Sequence, residues 1–451
     1  MAKFTIHTLK DGKVELLTYD NQTSELLRED GSPAVQVMPR EWTDAKAFSK
    51  DEPATKGNVK TLKISLGLSC NYECSYCSQR FVPHSDPTNP RDVDDFLHTL
   101  LAAGVNPKRI EFWGGEPLVY WKTLKPLAER LRQLFPDATF AMVTNGSLLD
   151  AQKNAWLDEM GFAIGLSHDG PGYHARGMDP LDDPAKRAAI MDLYARLRPK
   201  GRMSINAMMH KGNPSRAAVQ EWLKERFDAD VPIGEGSFID PYDEGGIAST
   251  FQTQAEHVAY RQRAYRELRQ GLAANFGIAS QKIMEFVDSI KQARPASSLG
   301  MKCGMDNPSQ LAVDLNGNAV TCQNVSAASL APNGQSHKIG HLSDLGSVAM
   351  KTSTHWSQRD TCPKCPVLQL CKGSCMFLEG DLYYAGCNAS YSDNVPFLAA
   401  AIEFLTGQIP FYIEGDLHES RKDIFGQLTK PQEAPKPKRV IPIKVADWSH
   451  E

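Results

Sequence analysis

Between residues 59 and 240 the chain alternates short β-patterned runs with helical ones. Thr61-Leu-Lys-Ile-Ser-Leu66, Arg109-Ile-Glu-Phe-Trp113, Thr139-Phe-Ala-Met-Val-Thr144, Phe162-Ala-Ile-Gly-Leu-Ser167 and Met203-Ser-Ile-Asn-Ala-Met-Met209 read as strands, with Ile233 to Ile239 as a sixth. Between them Val93, Phe96, Leu97, Leu100 and Leu101 recur at helical spacing, and Gly104 stops that helix. Leu127, Leu131 and Leu134 mark a second helix, and Ile190, Leu193, Tyr194 and Leu197 another. Repeated βα units predict a parallel sheet with right-handed crossovers. The pattern alone fits a partial barrel or a doubly wound sheet. Either way, chemistry is expected at the C-terminal strand ends.

The flanking regions read differently. In residues 1–58, Phe4-Thr-Ile-His-Thr-Leu9 alternates, Lys10-Asp-Gly-Lys13 turns, and Val14-Glu-Leu-Leu-Thr-Tyr19 returns, which predicts a hairpin. This β-rich appendage serves either to accept a peptide as an added strand or to cover the barrel. Residues 241–295 read as bridging helices, through Val258, Tyr265, Leu268, Leu272 and Phe276, then Ile283, Phe286, Val287 and Ile290. Residues 296–408 form a cysteine-rich domain closed by a helix within Asn394 to Leu405. There Leu311 to Val320 reads as a hairpin about Asn316-Gly317. Residues 409–451 read as a tail, rich in Pro and Lys from Lys430.

Length and charge narrow the field. A chain of 451 residues with net charge −4 holds two or three domains and offers no electrostatic case for nucleic acid. No apolar stretch approaches a membrane span, and the N-terminus lacks a signal-peptide pattern. A reducing cytoplasm is the expected compartment, where clustered cysteines mean metal or catalysis more often than disulfides.

The cysteines carry the chemistry. Cys70, Cys74 and Cys77 lie within Leu68-Ser-Cys-Asn-Tyr-Glu-Cys-Ser-Tyr-Cys-Ser78, directly after the first strand. Three thiolates at this spacing reach three irons of a cubane [4Fe–4S] cluster and leave the fourth open. The run resembles the Cx3CxφC motif of radical S-adenosylmethionine (SAM) enzymes, with Tyr76 as the aromatic residue. The resemblance implies a partial (β/α)6 barrel. It also implies that SAM binds the open iron through its amino and carboxylate groups and is split to a 5′-deoxyadenosyl radical. Paired zinc knuckles have a different spacing.

The same resemblance assigns SAM contacts. Gly114-Gly-Glu-Pro117 after the second strand resembles the GGE motif: Gly114 and Gly115 permit close backbone approach, and Glu116 suits an ammonium. Asn145 ends the third strand, as a SAM contact or a turn-former. Ser167-His-Asp-Gly-Pro171 resembles the S-x-DGP segment, in which Ser167 and a downstream arginine hold SAM. Arg176 is that arginine, with Arg187 the alternative. Asn206 on the fifth strand is a candidate for the ribose. Trp113 and His168 read as wall residues.

The other seven cysteines are Cys303, Cys322, Cys362, Cys365, Cys371, Cys375 and Cys387, with Gly317 five before Cys322. Their spacing resembles the SPASM domain, an iron–sulfur module with two auxiliary clusters. By that resemblance Cys362, Cys365, Cys371 and Cys387 hold a distal cluster and Cys303, Cys322 and Cys375 a proximal one with an open iron. In all, three [4Fe–4S] clusters and SAM are the expected cofactors. The resemblance implies a peptide maturase: an oxidoreductase that abstracts hydrogen from a ribosomally made precursor and forms a carbon–carbon or thioether crosslink. A flavodoxin- or ferredoxin-type electron donor is the expected partner. The alternatives are a sulfatase-maturing, formylglycine-generating enzyme and a non-catalytic iron–sulfur or zinc scaffold. Against the former, Gln323 stands where those enzymes place a proton-accepting aspartate after the Gx4C cysteine.

Overall fold

In the computed structural model, strands Thr61–Ser65, Arg109–Trp113, Thr139–Thr144, Phe162–Ser167 and Met203–Asn206 pair side by side in chain order, all parallel. The structure describes residues 2–49, 51–84, 88–234, 236–270, 278–332, 334–351 and 353–424. Strand alternation separates two faces. Leu62, Ile64, Ile110, Phe112, Phe140, Phe162, Ile164 and Leu166 are buried in the core, to which the helices also contribute. The register aligns Lys63, Glu111, Ala141 and Ala163 in one row of the opposite face, and Val143, Gly165 and Ser204 in the next. These small and polar side chains leave room for a cavity of about 540 Å³, lined by Glu111, Trp113, Val143, Gly165 and Asn206 among others. An apolar filling there would close it.

The sixth strand is irregular. Ile205 and Ile233, then Met209 and Phe238, form isolated parallel bridges, and the Gly234 N–H donates to the Ile205 carbonyl at 2.6 Å. Gly234 passes so close to the fifth strand that a Cβ there would stand 2.7 Å from Asn206 Oδ1. At the other edge the sheet gains a strand whose pairing the chain's local pattern hid. Gln310–Asp314 pairs parallel with Thr61–Ser65, and Asn318–Val320 and Lys338–His341 extend the sheet antiparallel. The expected Asn316-Gly317 hairpin is present, with Asp314 Oδ1 accepting from the Asn316 and Asn318 N–H groups, both at 3.0 Å. The cysteine-rich region is thus continuous with the barrel sheet.

The N-terminal hairpin joins Lys3–Lys10 to Lys13–Asp20 through Asp11 and Gly12, both at positive φ as a tight hairpin turn requires. Residues 409–414, assigned to the tail by sequence, are instead a buried strand: Ile409–Glu414 pairs antiparallel with Lys3–Lys10. Leu26–Arg28 pairs on the other side of the hairpin, so both long strands are internal to a four-stranded sheet. The hairpin's end holds the cysteine-rich loop: Asn21 Nδ2 donates to the Cys365 carbonyl at 2.8 Å, and Gln369 Nε2 to the Asn21 carbonyl at 3.0 Å.

The bridging helices are Gln254–Arg269, opened by a Thr253–Glu256 capping box, and Ile278–Lys291. Leu272 and Phe276 lie outside the described residues, as does the tail from Lys430. Both helices pack on Gly380–Thr406, which starts fourteen residues before the expected Asn394 and carries Cys387. Asp393 on this helix is buried against Arg216 at 2.6 Å, Tyr260 at 2.5 Å and Lys282 at 3.3 Å. Removing one partner of such a network leaves an uncompensated buried charge, at about 3–5 kcal/mol. Among the described residues no helix is long and apolar enough to cross a membrane.

Candidate active site

The cysteine loop leaves the first strand at its C-terminal end and is pinned by the second. Gly115 N–H donates to the Gly67 carbonyl and Glu116 N–H to the Ser69 carbonyl, both at 3.0 Å. A Cβ on Gly115 would stand 2.4 Å from the carbonyl oxygens of Leu68 and Ser69, so only glycine fits. The Ser69 N–H donates to Tyr120 Oη at 2.7 Å. This backbone lacing holds Cys70, Cys74 and Cys77 over the barrel mouth. Cys70 is exposed, and Cys74 and Cys77 are partly buried.

All three line a cavity of about 850 Å³, within the range of small-molecule sites. Tyr76, Gly115, Glu116, Asn145, Ser167 and Arg176 line the same cavity. Gly114 does not line it; a Cβ there would stand 2.9 Å from the Gly67 carbonyl oxygen. Asn206 does not share this cavity; its side chain lines the neighbouring one lower in the barrel, within 3.1 Å of Ser204 Oγ. Arg187 lies apart, its guanidinium donating to the Arg226 carbonyl at 3.0 Å. Of the two candidate arginines, Arg176 therefore faces the pocket.

Internal contacts fix these side chains. Glu116 accepts from Thr144 Oγ1 at 2.7 Å, the Asn145 N–H at 2.7 Å and the Leu118 N–H at 3.0 Å. Burial pushes its carboxyl above the usual range against these three donors. Asn145 both shapes its turn, accepting from the Ser147 N–H at 2.9 Å, and donates to Asn71 Oδ1 in the cysteine loop at 2.9 Å. Arg176 Nη1 is 3.1 Å from Tyr76 Oη and 3.7 Å from Asp169 Oδ1. Tyr76 in turn donates to Asp169, and His210 packs on its ring at 5.1 Å. Burial lowers the His210 pKa. His168 is structural, hydrogen-bonded to Asp179 at 2.9 Å and stacked on Trp222.

Sequence reading passed over Asp169, Thr144, Asn71 and Tyr242. Asp169 lay inside the quoted Ser-His-Asp-Gly-Pro run, whose aspartate drew no role. Tyr242 carries no local signal, yet it lines the cavity with Asp240 and Asn324.

The seven C-terminal cysteines separate into two groups. Cys362, Cys365, Cys371 and Cys387 face one small cavity of about 20 Å³. Tyr383 Oη lies 3.3 Å from Cys362 Sγ, and Arg421 Nη2 donates to Cys387 Sγ at 3.4 Å. Cys375 points elsewhere: Tyr242 Oη lies 2.7 Å from its sulfur, and Cys322 is within electrostatic reach of both Cys375 and Cys303. All ten cysteines are free. Burial pushes the Cys74 thiol up to about 11 and Cys365 to about 12, so metal binding there must release protons.

Among the described residues no three His, Cys, Asp or Glu side chains converge as a single metal ion needs. A thiolate-held cluster asks for something else, a ring of sulfurs around a space. Both the donor chemistry and the cavities between the thiols fit that requirement.

The comparisons agree with this architecture. The model of the radical SAM superfamily matches residues 64–218. Radical SAM cyclopropyl synthase TigE of Paramaledivibacter caminithermalis is 23% identical over 160 residues, 30% of this chain and 34% of that protein. GTP 3′,8-cyclase of Chlorobaculum tepidum is 32% identical over 113 residues, 25% of this chain and 33% of that protein. The chain spans about a third of the length of these curated relatives, which are enzymes. Of the solved structures, native anSMEcpe with bound AdoMet shares the fold at a TM-score of 0.53 and 19% identity, covering 77% of this chain and 98% of that chain. The same protein with the Kp18Cys peptide gives 0.51 at 19% identity, covering 75% and 97%. Residues 64–218 are a radical SAM domain, built on the parallel α/β sheet of that fold.

Proposed function

We propose that this chain is a radical SAM peptide maturase, with a SPASM-type C-terminal region. The observation that carries the reading is one cavity of about 850 Å³ shared by Cys70, Cys74, Cys77, Glu116, Ser167 and Arg176. It is large enough for a nucleotide sulfonium and an entering side chain together. Cys70, Cys74 and Cys77 would hold a [4Fe–4S] cluster, and that cluster with SAM would supply the one-electron chemistry for hydrogen abstraction.

The chain's own residues do the positioning. The Arg176 guanidinium, steadied by Tyr76 and Asp169, lines the cavity and would meet the SAM carboxylate. Because Glu116 already accepts three hydrogen bonds, it supports the turn and sets the local charge as much as it meets the SAM amino group. The substrate is a precursor peptide, the product a carbon–carbon or thioether crosslink, and the reductant a flavodoxin or ferredoxin. A TigE-like relative named as a cyclopropyl synthase is in keeping with bond formation.

Formylglycine generation is the second reading, favoured by the fold shared with anSMEcpe. Against it, the side-chain oxygen of Gln323 accepts from Lys63 Nζ at 3.3 Å, and an amide takes no proton. The test is anaerobic co-expression with candidate precursors, read by mass spectrometry together with iron content and 5′-deoxyadenosine release. A mass loss of hydrogens in a peptide supports the maturase. Conversion of a Cys or Ser to formylglycine supports the second reading, and colourless zinc protein refutes both.

A further inference from the structure

One wall of the cysteine pocket is also a wall of the second cysteine group. Ile239, Asp240, Tyr242 and Asn324 line the pocket as well. Two of these four touch cysteines of that group. The Asn324 N–H donates to Cys322 Sγ at 3.4 Å, and Tyr242 Oη lies 2.7 Å from Cys375 Sγ. Tyr242 is the one described side chain that both lines the pocket and hydrogen-bonds a sulfur of Cys303, Cys322 or Cys375. It packs, like Cys322 and Cys375, against one buried apolar core. A metal-bound Cys375 is a thiolate and has no proton to give, so the phenol must be the donor.

We propose that Tyr242 is a positioning residue: its hydroxyl donates to Cys375 and raises the reduction potential of the centre held by Cys303, Cys322 and Cys375. This deepens the peptide-maturase reading and rests on it. A hydrogen bond to a cluster sulfur stabilises the more negative, reduced state. Placed on the pocket wall, it makes the centre nearest the pocket a better electron acceptor than it would be without that bond. The four-cysteine group has its own donors, Tyr383 and Arg421, but neither reaches the pocket.

The experiment is a potentiometric EPR titration of the full-length protein, reconstituted anaerobically, as wild type, Tyr242→Phe and Tyr383→Phe. Tyr242→Phe is expected to move one midpoint to lower potential, with the iron content and the other midpoints unchanged. Tyr383→Phe is expected to move a different one. Unchanged midpoints in Tyr242→Phe overturn the proposal, and so does loss of iron, which would make Tyr242 a ligand. If Tyr242→Phe does not fold, protein with ring-deuterated tyrosine is examined by pulsed EPR. Deuterium coupling is expected at the centre whose signal Cys375→Ala removes, and its absence overturns the proposal. Wild-type protein without reducible iron refutes the maturase reading instead, so the two failures are distinct.

Discussion

The two best-defined cysteine sites differ in what surrounds the sulfurs. Cys70, Cys74 and Cys77 stand on a loop at the mouth of a cavity of about 850 Å³. Cys362, Cys365, Cys371 and Cys387 enclose about 20 Å³, with Cys362 and Cys365 buried and aromatic rings alongside. Three donors beside open space leave a coordination position for an organic ligand; four donors around a closed space leave none. Open metal sites react, and closed ones hold structure or pass electrons. The contrast predicts which site tolerates damage and what is lost with each.

The largest effect is expected at the open site. Cys74→Ala should reduce SAM cleavage to background while the C-terminal iron remains, as counted by iron analysis and 5′-deoxyadenosine release. Retained cleavage would remove the ligand assignment. At the closed site, Cys365→Ala should lower the iron content by about a third if three cubanes are present, and leave dithionite-driven SAM cleavage in place. Cleavage lost in step with that iron would erase the distinction between the sites.

Smaller effects test the scaffold of the open site. Arg176→Gln removes a charge-assisted contact and should weaken SAM binding by about 1.5–3 kcal/mol, seen as a raised dissociation constant in calorimetry. Arg187→Gln should not. Gly115→Ala forces a Cβ onto the Leu68 and Ser69 carbonyls and should cost about 1–3 kcal/mol in denaturant unfolding, with weaker SAM binding.

The smallest expected effect is on acid stability. Burial, then Arg261 and Arg421, lowers the His257 pKa to about 4, and burial does the same to His337. Both bind fewer protons folded than unfolded, where the pKa is about 6.5. The neutral folded form is therefore favoured above that value, and stability falls as pH drops from about 6.5 towards 4. Thermal unfolding midpoints across that range, for wild type and His337→Gln, measure the change; a variant with the same pH slope would exclude His337 as a source.

Much of the open site was legible because its chemistry is local. Three cysteines in eight residues, a GGE turn and an S-x-DGP segment each sit at the end of a strand whose pattern is plain. Trp113 lines a cavity wall, as read, whereas His168, read the same way, is buried against Asp179 and Trp222. What escaped the sequence depends on long-range pairing. Nothing in Gln310–Asp314 says that it lies beside Thr61–Ser65, and nothing in Ile409–Glu414 says that it lies beside Lys3–Lys10. Asn206 shows the finer limit. It stands in register with Ser167, which lines the upper cavity, but its own side chain meets Ser204 and lines the lower one. Tyr242 follows an irregular sixth strand, whose path no periodicity encodes.

The pairing of Lys3–Lys10 with Ile409–Glu414 has a consequence for biosynthesis. The first strand leaves the ribosome roughly four hundred residues before its neighbour, a wait of about 20–80 s at ordinary elongation rates. Every cysteine of the chain is translated inside that interval. Iron–sulfur delivery therefore has a window while the nascent polypeptide is still unfastened at its two ends.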